Sequence, residues 1–401
     1  MPTTLSLRDP VHGFIRADPL EAALIKSRPL QRLRFIHQLG FTFLVFPGAE
    51  HSRFSHVLGA MHLAGRLYDA LCAKGGGLLP AGAGSRERRL LRAAALLHDV
   101  GHAPFSHSAE ELFAGGIDHE EMTRRLLTTP EVEAIFAAHG DGLATADVIR
   151  LLHGGGTATE RLLAKAISGE LDVDKMDYLL RDSLFCGVRY GTFDLERLLD
   201  TALPLADPET GEWGIGVEEG GMHAVEALVM ARYYMFTQVY FNATGKALEL
   251  HLNQWLLDHG ERWAADPELF LRQDDVAVWD AMRRSGSPHA RAVVEREHFP
   301  VAFETREHLT RAEKERFEAL LPALAGRFGS GNLLVSNSAK DPHRMRSSRV
   351  LVRGDDGALE PMERASQFIG HLSRIDRYRI YTPPPLRDAV AAFLRQRWEP
   401  V

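Results

Sequence analysis

Between residues 20 and 260, apolar side chains recur at helical spacing in segments of about ten to twenty residues, and Gly, Pro or Asp residues join these segments. The clearest interruptions are KGGGLLPAGAGS at 74–85 and HGGG at 153–156, which neither a helix nor a strand tolerates well. Ser85 is expected to cap the helix that follows it. This pattern predicts a mainly α-helical fold with few strands, and GEWGIGVEEG at 211–220 is one short candidate strand.

The character of the sequence changes after about residue 260. Polar helical segments lead into NLLVSN and SRVLVRGDDGALEPM, whose GDDG suits a hairpin turn. The chain has 401 residues, which is more than a typical single domain. We therefore predict a helical core over residues 1–260 and a small α+β region over residues 261–401 that regulates the core or joins it to other copies.

Composition excludes some classes of protein. The hydrophobic fraction of 45% is ordinary for a globular protein, and the net charge of -7 argues against a dedicated duplex-DNA binder but not against a small anionic substrate. Cys72 and Cys186 are too few for a disulfide framework and fit a reducing cytoplasm. The start resembles no signal peptide, and no apolar run approaches the roughly 20 residues of a membrane helix. We expect a cytoplasmic protein without a membrane partner.

Histidine is unevenly distributed, with 9 of the 19 histidines in the first 119 residues. The segment LLHDVGHAPFSH places His98 and Asp99 side by side where an apolar helix ends. Imidazole and carboxylate ligands together suit Mn, Fe, Ni or Zn. His102 follows four residues later, on the same face if the helix continues, although the nearby Gly and Pro indicate that it ends soon. On spacing alone, the pair also fits a helix end with solvated polar residues.

Two further segments strengthen the case for a metal site. HSRFSHVLGAMHLAG contains His56, and LDVDKMDYLLRD carries Asp174, Tyr178 and Asp182 at intervals of four, on one helical face. Buried carboxylates are costly unless they are paired or bound to metal. The alternative is a solvated face stabilised by charge pairs between neighbouring turns.

These segments, in this order, resemble the HD-domain deoxynucleoside triphosphate triphosphohydrolases, which include a virus-restricting mammalian enzyme and bacterial relatives. The resemblance covers most of residues 8–245 and rests on DPVHGFI, QRLRFIHQLG, VFPGAEHSRFSHVLGAMHLAG, LLHDVGHAPFSH, DHEE, LDVDKMDYLLRD and ARYYMFTQVYF. HDVGHAPFSH together with DVDKMDYLLRD is highly specific, whereas a lone HD doublet is not. The resemblance implies an HD-domain helical core.

The resemblance also assigns roles at the reaction centre. It implies that the metal ligands are His56, His98, Asp99 and Asp174. The implied cofactor is a divalent transition metal (Mn, Fe, Ni, Co or Zn), with Mg as a further ion on the phosphates. The implied catalytic residues are His102 near the scissile phosphate, His107 for proton transfer, Glu110, and His119. Glu110 orients His107 in this scheme, but it stands where an Asp is expected, so its reach differs by one methylene group.

The implied contacts to the triphosphate or the sugar come from Arg53, Lys175, Tyr178 and Asp182, and Gln38 and Leu39 correspond to the pair that senses the deoxyribose edge. The sequence also departs from the family pattern. Asn242 stands where relatives commonly carry His. Lys26 lies near where the mammalian enzyme has an acidic residue of its guanine-recognising activator site, although Gln31 and Arg34 of that region are retained. Activation by a nucleotide therefore does not carry over from the resemblance.

The implied reaction is attack of water on the α-phosphate of a dNTP, which yields a deoxynucleoside and inorganic triphosphate. The alternatives are an HD-type phosphodiesterase, nucleotidase or single-strand nuclease, because the same metal site activates water in each. A second alternative is a nucleic-acid-binding regulatory protein with a decayed site, since HRMRSSRVLVR at 343–353 carries four arginines. The expected partners are a dNTP substrate and further copies of the chain in a dimer or tetramer, and an activator nucleotide and single-stranded nucleic acid remain alternatives.

Overall fold

The computed structural model describes residues 5–75, 77–106, 112–343, 345 and 349–398. It begins with a hairpin that the sequence analysis did not predict. Strands β1 (Leu5–Asp9) and β2 (Gly13–Ala17) pair antiparallel, with Asp9 opposite Gly13. Gly13 has a φ of 75°, which a residue without a side chain adopts at little cost, so the chain turns tightly here.

Helices dominate the next part of the chain, as the sequence predicts. The 22-residue helix α3 packs against α4 and α9, and most of its side chains are buried. Ser85 occupies the N-cap position of α4, but its hydroxyl donates to the Tyr68 hydroxyl (3.3 Å) and not to the backbone of α4, so its expected capping bond is absent. The helices are α1 (Pro19–Ile25), α2 (Arg28–Arg32), α3 (Arg53–Lys74), α4 (Arg86–Leu97), α5 (His119–Leu127), α6 (Pro130–His139), α7 (Thr145–Leu152), α8 (Ala158–Ser168) and α9 (Val173–Cys186).

The middle of the chain contains the predicted short strand. It is β4, which pairs antiparallel with β3, and a π-helical segment, Phe236–Tyr240, directly follows α11. The elements are α10 (Leu195–Thr201), β3 (Ala202–Ala206), β4 (Trp213–Glu218), α11 (Met222–Met235), α12 (Ala243–Asp258), α13 (Pro267–Phe270), α14 (Asp275–Arg284) and α15 (Pro288–Val294).

The C-terminal part is α+β, as predicted, and GDDG forms the turn of a hairpin between β7 and β8. Strand β9 lies between β5 and β6 in an antiparallel sheet. The elements are β5 (Val301–Glu304), α16 (Arg311–Glu318), α17 (Leu321–Phe328), β6 (Leu334–Lys340), β7 (Leu351–Arg353), β8 (Leu359–Pro361), α18 (Met362–Ala365), α19 (Gln367–His371), β9 (Ile375–Tyr381) and α20 (Arg387–Trp398).

The fold class is confirmed as mainly α, with a helical core and small sheets toward the C-terminus. The division at residue 260 stays a prediction, and one sheet crosses it, because β7 pairs in parallel with β4 (Val352 opposite Val217). The main hydrophobic core likewise draws on both sides of that position, from Ile15 to Ile369. Among the described residues, no helix is long and apolar enough to cross a membrane.

Candidate metal centre and substrate pocket

Four side chains from three helical segments converge at one point. His56 lies on α3, His98 and Asp99 directly follow α4, and Asp174 lies in the first turn of α9. Asp174 Oδ1 is 3.0 Å from His56 Nε2 and 3.6 Å from His98 Nε2. Asp99 is 3.2 Å from His98 Nε2 through Oδ1 and 3.8 Å from His56 Nε2 through Oδ2. The structure thus brings together the four predicted metal ligands.

The hydrogen bonds of the two histidines fit a metal ion. His56 donates from Nδ1 to Asp177 (2.8 Å), and His98 donates from Nδ1 to the Ala95 carbonyl (2.8 Å). Both Nε2 atoms are buried without a hydrogen-bond partner, and in the neutral form of each ring the Nε2 lone pair is available to a metal. One ligand atom each from His56, His98 and Asp99 lies within 4.8 Å of the others. A divalent cation would satisfy both nitrogens, and two imidazoles with two carboxylates suit Mn, Fe, Co, Ni or Zn.

The charges at this point are strongly coupled. Burial disfavours an imidazolium, but the carboxylates of Asp174 and Asp177 outweigh burial and raise the pKa of His56 to about 10. The pKa of His98 is also raised, because Asp99 and Asp174 outweigh its burial. Burial disfavours the carboxylates as well, yet the histidines hold the pKa of Asp174 below its usual range, and Arg53 with His98 does the same for Asp99. A proton and a cation therefore compete for the same nitrogens.

Of the other predicted catalytic residues, His102 lies three positions after Asp99 and His119 begins α5. Helix α4 ends at Leu97, so His102 does not share a helical face with His98. The His102 Nε2 atom nevertheless lies 3.2 Å from Asp99 Oδ1, and its ring stacks on the His119 ring at a centroid distance of 4.4 Å. Burial and Arg53 hold the pKa of His102 well below its usual range, so this imidazole is neutral. The predicted pair His107 and Glu110 lies outside the described residues.

Arg53 is the cation closest to Asp99. It is buried, and it donates from Nη1 to the Asp99 carboxylate and from Nε to Ser106 Oγ (3.0 Å). Lys175 is paired as well, since its Nζ donates to the Asp172 carboxylate (2.5 Å) and to the Gly169 carbonyl (2.6 Å). These bonds leave N–H donors of both side chains for a ligand in the cavity that both residues line.

A cavity of about 710 Å³ opens beside the predicted metal ligands. The Tyr178 ring lies 6.5 Å from the His56 ring and 6.2 Å from the Tyr240 ring. Asp182 accepts from the Tyr240 hydroxyl (2.7 Å) and from His51 Nε2 (2.8 Å), so its carboxylate is fixed. The predicted residues that line the cavity are Gln38, Leu39, Arg53, His98, Asp99, His102, His119, Asp174, Lys175, Tyr178 and Asp182.

Comparison with protein families matches two consecutive stretches of the chain. Residues 53–182, which carry all four predicted ligands, match the HD domain, and residues 193–397, more than half of the chain, match the HD associated region. The chain belongs to the HD-domain family. A solved structure of a hypothetical protein from Aquifex aeolicus has 30% identity and a TM-score of 0.82 over 98% of this chain and 100% of its own.

Two curated relatives of this HD-domain protein extend the comparison. The uncharacterized protein YwfO of Bacillus subtilis is 43% identical over 62% of this chain and 54% of its own length. The deoxynucleoside triphosphate triphosphohydrolase SAMHD1 homolog of Dictyostelium discoideum is 32% identical over 61% of this chain and 47% of its own. The chain thus spans about half the length of these relatives.

Three residues in or behind the HD-domain pocket were not predicted from the sequence. Asp177 holds His56, and its only sequence signal is an i,i+4 pair with Arg181 inside an apolar helix. Arg232 lines the cavity, donates from Nη1 to the Pro342 carbonyl (3.0 Å), and has a buried Nε without a hydrogen-bond partner. Lys340, from β6 in the HD associated region, also lines the cavity, and its Nζ lies 5.1 Å from the Phe236 ring centroid.

Two of the positions that depart from the family pattern, Asn242 and Lys26, cap helices. Asn242 caps α12, since its Oδ1 accepts from the Gly245 N–H (2.6 Å). Lys26 forms the C-cap of α1. Of the two retained residues in that region, Gln31 donates to the Ile25 carbonyl (2.6 Å) and Arg34 lies 3.6 Å from the Phe54 ring centroid.

Proposed function

We propose that this HD-domain phosphohydrolase converts deoxynucleoside triphosphates into deoxynucleosides and inorganic triphosphate. The observation that carries the proposal is a single cavity that joins the metal ligands His98, Asp99 and Asp174 to the side chains of Lys175 and Tyr178. The name of the Dictyostelium relative, a deoxynucleoside triphosphate triphosphohydrolase, supports the choice of substrate.

The reaction adds one water molecule across the bond between the α-phosphorus and O5′. The water oxygen bonds to phosphorus, the P–O5′ bond breaks, and a proton passes to O5′, which leaves triphosphate and a nucleoside. His56, His98, Asp99 and Asp174 would hold Mn, Fe, Co, Ni or Zn, and such an ion lowers the pKa of coordinated water and neutralises phosphate charge.

The residues of the chain have separate tasks in this proposal. Arg53 and Lys175 offset the charge of the triphosphate, Arg by bidentate contact and Lys as a point charge. The neutral ring of His102 binds a phosphate oxygen by a hydrogen bond without adding charge. His107, oriented by Glu110, donates the proton to O5′. General acid catalysis typically increases a reaction rate by about 10²–10⁴-fold. Tyr178 packs against the sugar, where a 2′-hydroxyl would not fit.

The test is incubation with each dNTP and each NTP, in the presence of Mn, Mg, Fe, Co, Ni or Zn, with separate detection of nucleoside and triphosphate. A His98→Ala, Asp99→Ala double variant should lose turnover, whereas His223→Ala, which changes an 83% exposed histidine side chain, should keep it. Full activity in the double variant would contradict the metal site. Monophosphate and pyrophosphate as the products, or cleavage of single strands alone, would contradict the triphosphohydrolase assignment.

The assembly and the ligands beyond the substrate belong to the same proposal. We expect a homo-oligomer, either a dimer or a tetramer, whose mass is measured by sedimentation velocity with and without each dNTP. A nucleotide that shifts the oligomer and also stimulates turnover of a second dNTP would be an activator. A single-stranded oligonucleotide is tested in the same way, as a ligand and as an inhibitor of turnover.

A further inference from the structure

We propose that the N-terminal hairpin is part of the metal centre: His12, acting through the buried carboxylate of Asp177, fixes the ring of His56 and thereby sets the affinity of the site for its metal. The proposal rests on the metal site of the proposed function. It assigns a role to the DPVHG segment at residues 9–13, which lies outside the matched HD domain and does not line the cavity. His12 and Asp177 are positioning residues, because neither would touch the metal or the substrate.

Asp177 connects His12 to His56 through hydrogen bonds. Its Oδ2 accepts from His56 Nδ1 (2.8 Å) and from Arg181 Nε (2.8 Å). Its Oδ1 accepts from His12 Nε2 (2.6 Å) and from Arg181 Nη2 (2.9 Å). The carboxylate therefore receives four hydrogen bonds, and it is completely buried. A carboxylate held on all sides has one orientation, and His56 takes its own orientation from it.

The turn of the N-terminal hairpin, which carries His12, is also held by hydrogen bonds. Asp9 Oδ1 accepts from the backbone N–H groups of Val11 and His12 (2.9 Å each), which shapes the turn between β1 and β2. Asp9 Oδ2 accepts from Arg181 Nη1 (2.8 Å), so the same guanidinium holds both Asp9 and Asp177. The His12 side chain is 2% exposed. These hydrogen bonds thus hold the turn in one conformation, with the His12 side chain against Asp177.

Helix α3 leaves room for the side chains of Asp177 and Arg181 at Gly59. Gly59 follows His56 by three positions, and a Cβ built on it would lie 1.8 Å from Asp177 Oδ1 and 2.4 Å from Arg181 Nη2. Only glycine lets the Asp177–Arg181 pair approach the α3 backbone beside His56. The close approach is a second geometric sign, independent of the hydrogen bonds, that α3 and α9 are built around this pair.

The hydrogen bond between His56 and Asp177 and the charges around it favour metal binding. A proton held on His56 Nδ1 leaves the Nε2 lone pair for the metal, and a carboxylate behind an imidazole makes it a stronger ligand. Asp9, Asp177 and Arg181 together contribute one net negative charge behind His56, which further favours a dication. His12 supplies one of the four hydrogen bonds that keep Asp177 in place.

The experiment measures the affinity of the metal-free full-length protein for Co²⁺, followed by the visible absorption of the bound ion. Asp177→Asn should weaken the affinity by about 10–100-fold, the usual effect of removing such a partner. The matched control is Glu21→Gln, because Glu21 forms a comparable buried pair with Arg92 (2.6 Å) but lies on α1. Glu21→Gln should lower the unfolding temperature and leave the Co²⁺ affinity unchanged.

A second pair of variants covers the case in which Asp177→Asn does not fold. His12→Leu removes a donor to Asp177 and should weaken Co²⁺ binding several-fold, whereas His12→Gln retains an N–H donor and should recover most of the affinity. Equal Co²⁺ affinities for wild type, His12→Leu and any folded Asp177→Asn would overturn the positioning role while leaving the proposed function intact. A wild-type protein that binds neither Co²⁺ nor Mn²⁺ would overturn both.

Discussion

Replacement of Gly59 by alanine tests whether the Asp177–Arg181 pair packs directly against the backbone of α3 at this residue. The added methyl group would overlap Asp177 Oδ1 at 1.8 Å and Asp177 Cγ at 2.6 Å. Alanine gains about 1 kcal/mol of helix propensity over glycine. Overpacking costs about 1–3 kcal/mol, and breaking a buried ion pair costs about 3–5 kcal/mol. We expect a net loss of about 3 kcal/mol, because the pair shifts but is not removed.

Thermal unfolding of the metal-free protein measures this loss. With an unfolding entropy of about 2.1 cal/mol/K per residue, a chain of 401 residues that unfolds as one unit loses about 4 °C in Tm. Gly65→Ala on the same helix is the comparison, since its Cβ would meet Arg92 Nη1 at 2.8 Å and Arg88 Nη2 at 3.0 Å, where smaller shifts relieve the overlap. That variant should lose less in Tm than Gly59→Ala, because the gain in helix propensity offsets more of the cost. Equal Tm values for wild type and Gly59→Ala would refute the reasoning.

Three further predictions concern the pocket. The raised pKa values of His56 and His98 mean that metal uptake displaces protons, so Co²⁺ affinity should rise from pH 6 to pH 8 by about tenfold per pH unit for each proton displaced; a constant Kd would contradict this. Tyr178→Ala should raise kcat/KM for NTPs relative to dNTPs, measured by competition, and an unchanged ratio would exclude Tyr178 as the sugar filter. Asp275→Ala leaves the N–H of Phe105 (2.6 Å to Asp275 Oδ1) and the donors of His37 unpaired, so it should cost about 1–3 kcal/mol in urea unfolding and also lower kcat.

The sequence predicted those parts of the fold and the site that depend on local pattern. Apolar spacing locates the helices, and the end of α4 places His98 beside Asp99. Spacing by four correctly puts Asp174, Tyr178 and Asp182 along one side of α9, where all three line the cavity. The turn residues GDDG predict the β7–β8 hairpin for the same reason, since the signal lies within a few residues.

What the sequence did not predict depends on contacts between distant residues. Asp177 binds His12 and His56, which lie 165 and 121 positions away, and nothing in the local spacing indicates either contact. Strands β1 and β2 alternate between inward and exposed residues, but each has only five residues, and the turn between them is held by hydrogen bonds of Asp9 that the spacing does not indicate. The absent capping bond of Ser85 has a similar cause, since Tyr68 from another helix binds its hydroxyl.

The matched HD domain therefore holds the predicted metal ligands and Asp177, but not all of the groups that fix them. On one side, His12 and Asp9 reach the centre through Asp177 and Arg181. On another, Arg32 donates from Nη1 to the His102 carbonyl (2.9 Å) and from Nε to the Gln273 carbonyl (2.7 Å), which joins the loop after Asp99 to the HD associated region. Each of these donors is buried, and leaving one unpaired would cost about 1–3 kcal/mol. The geometry of the centre is thus a property of the chain from residue 9 to at least residue 273, and residues 53–182 alone do not determine it.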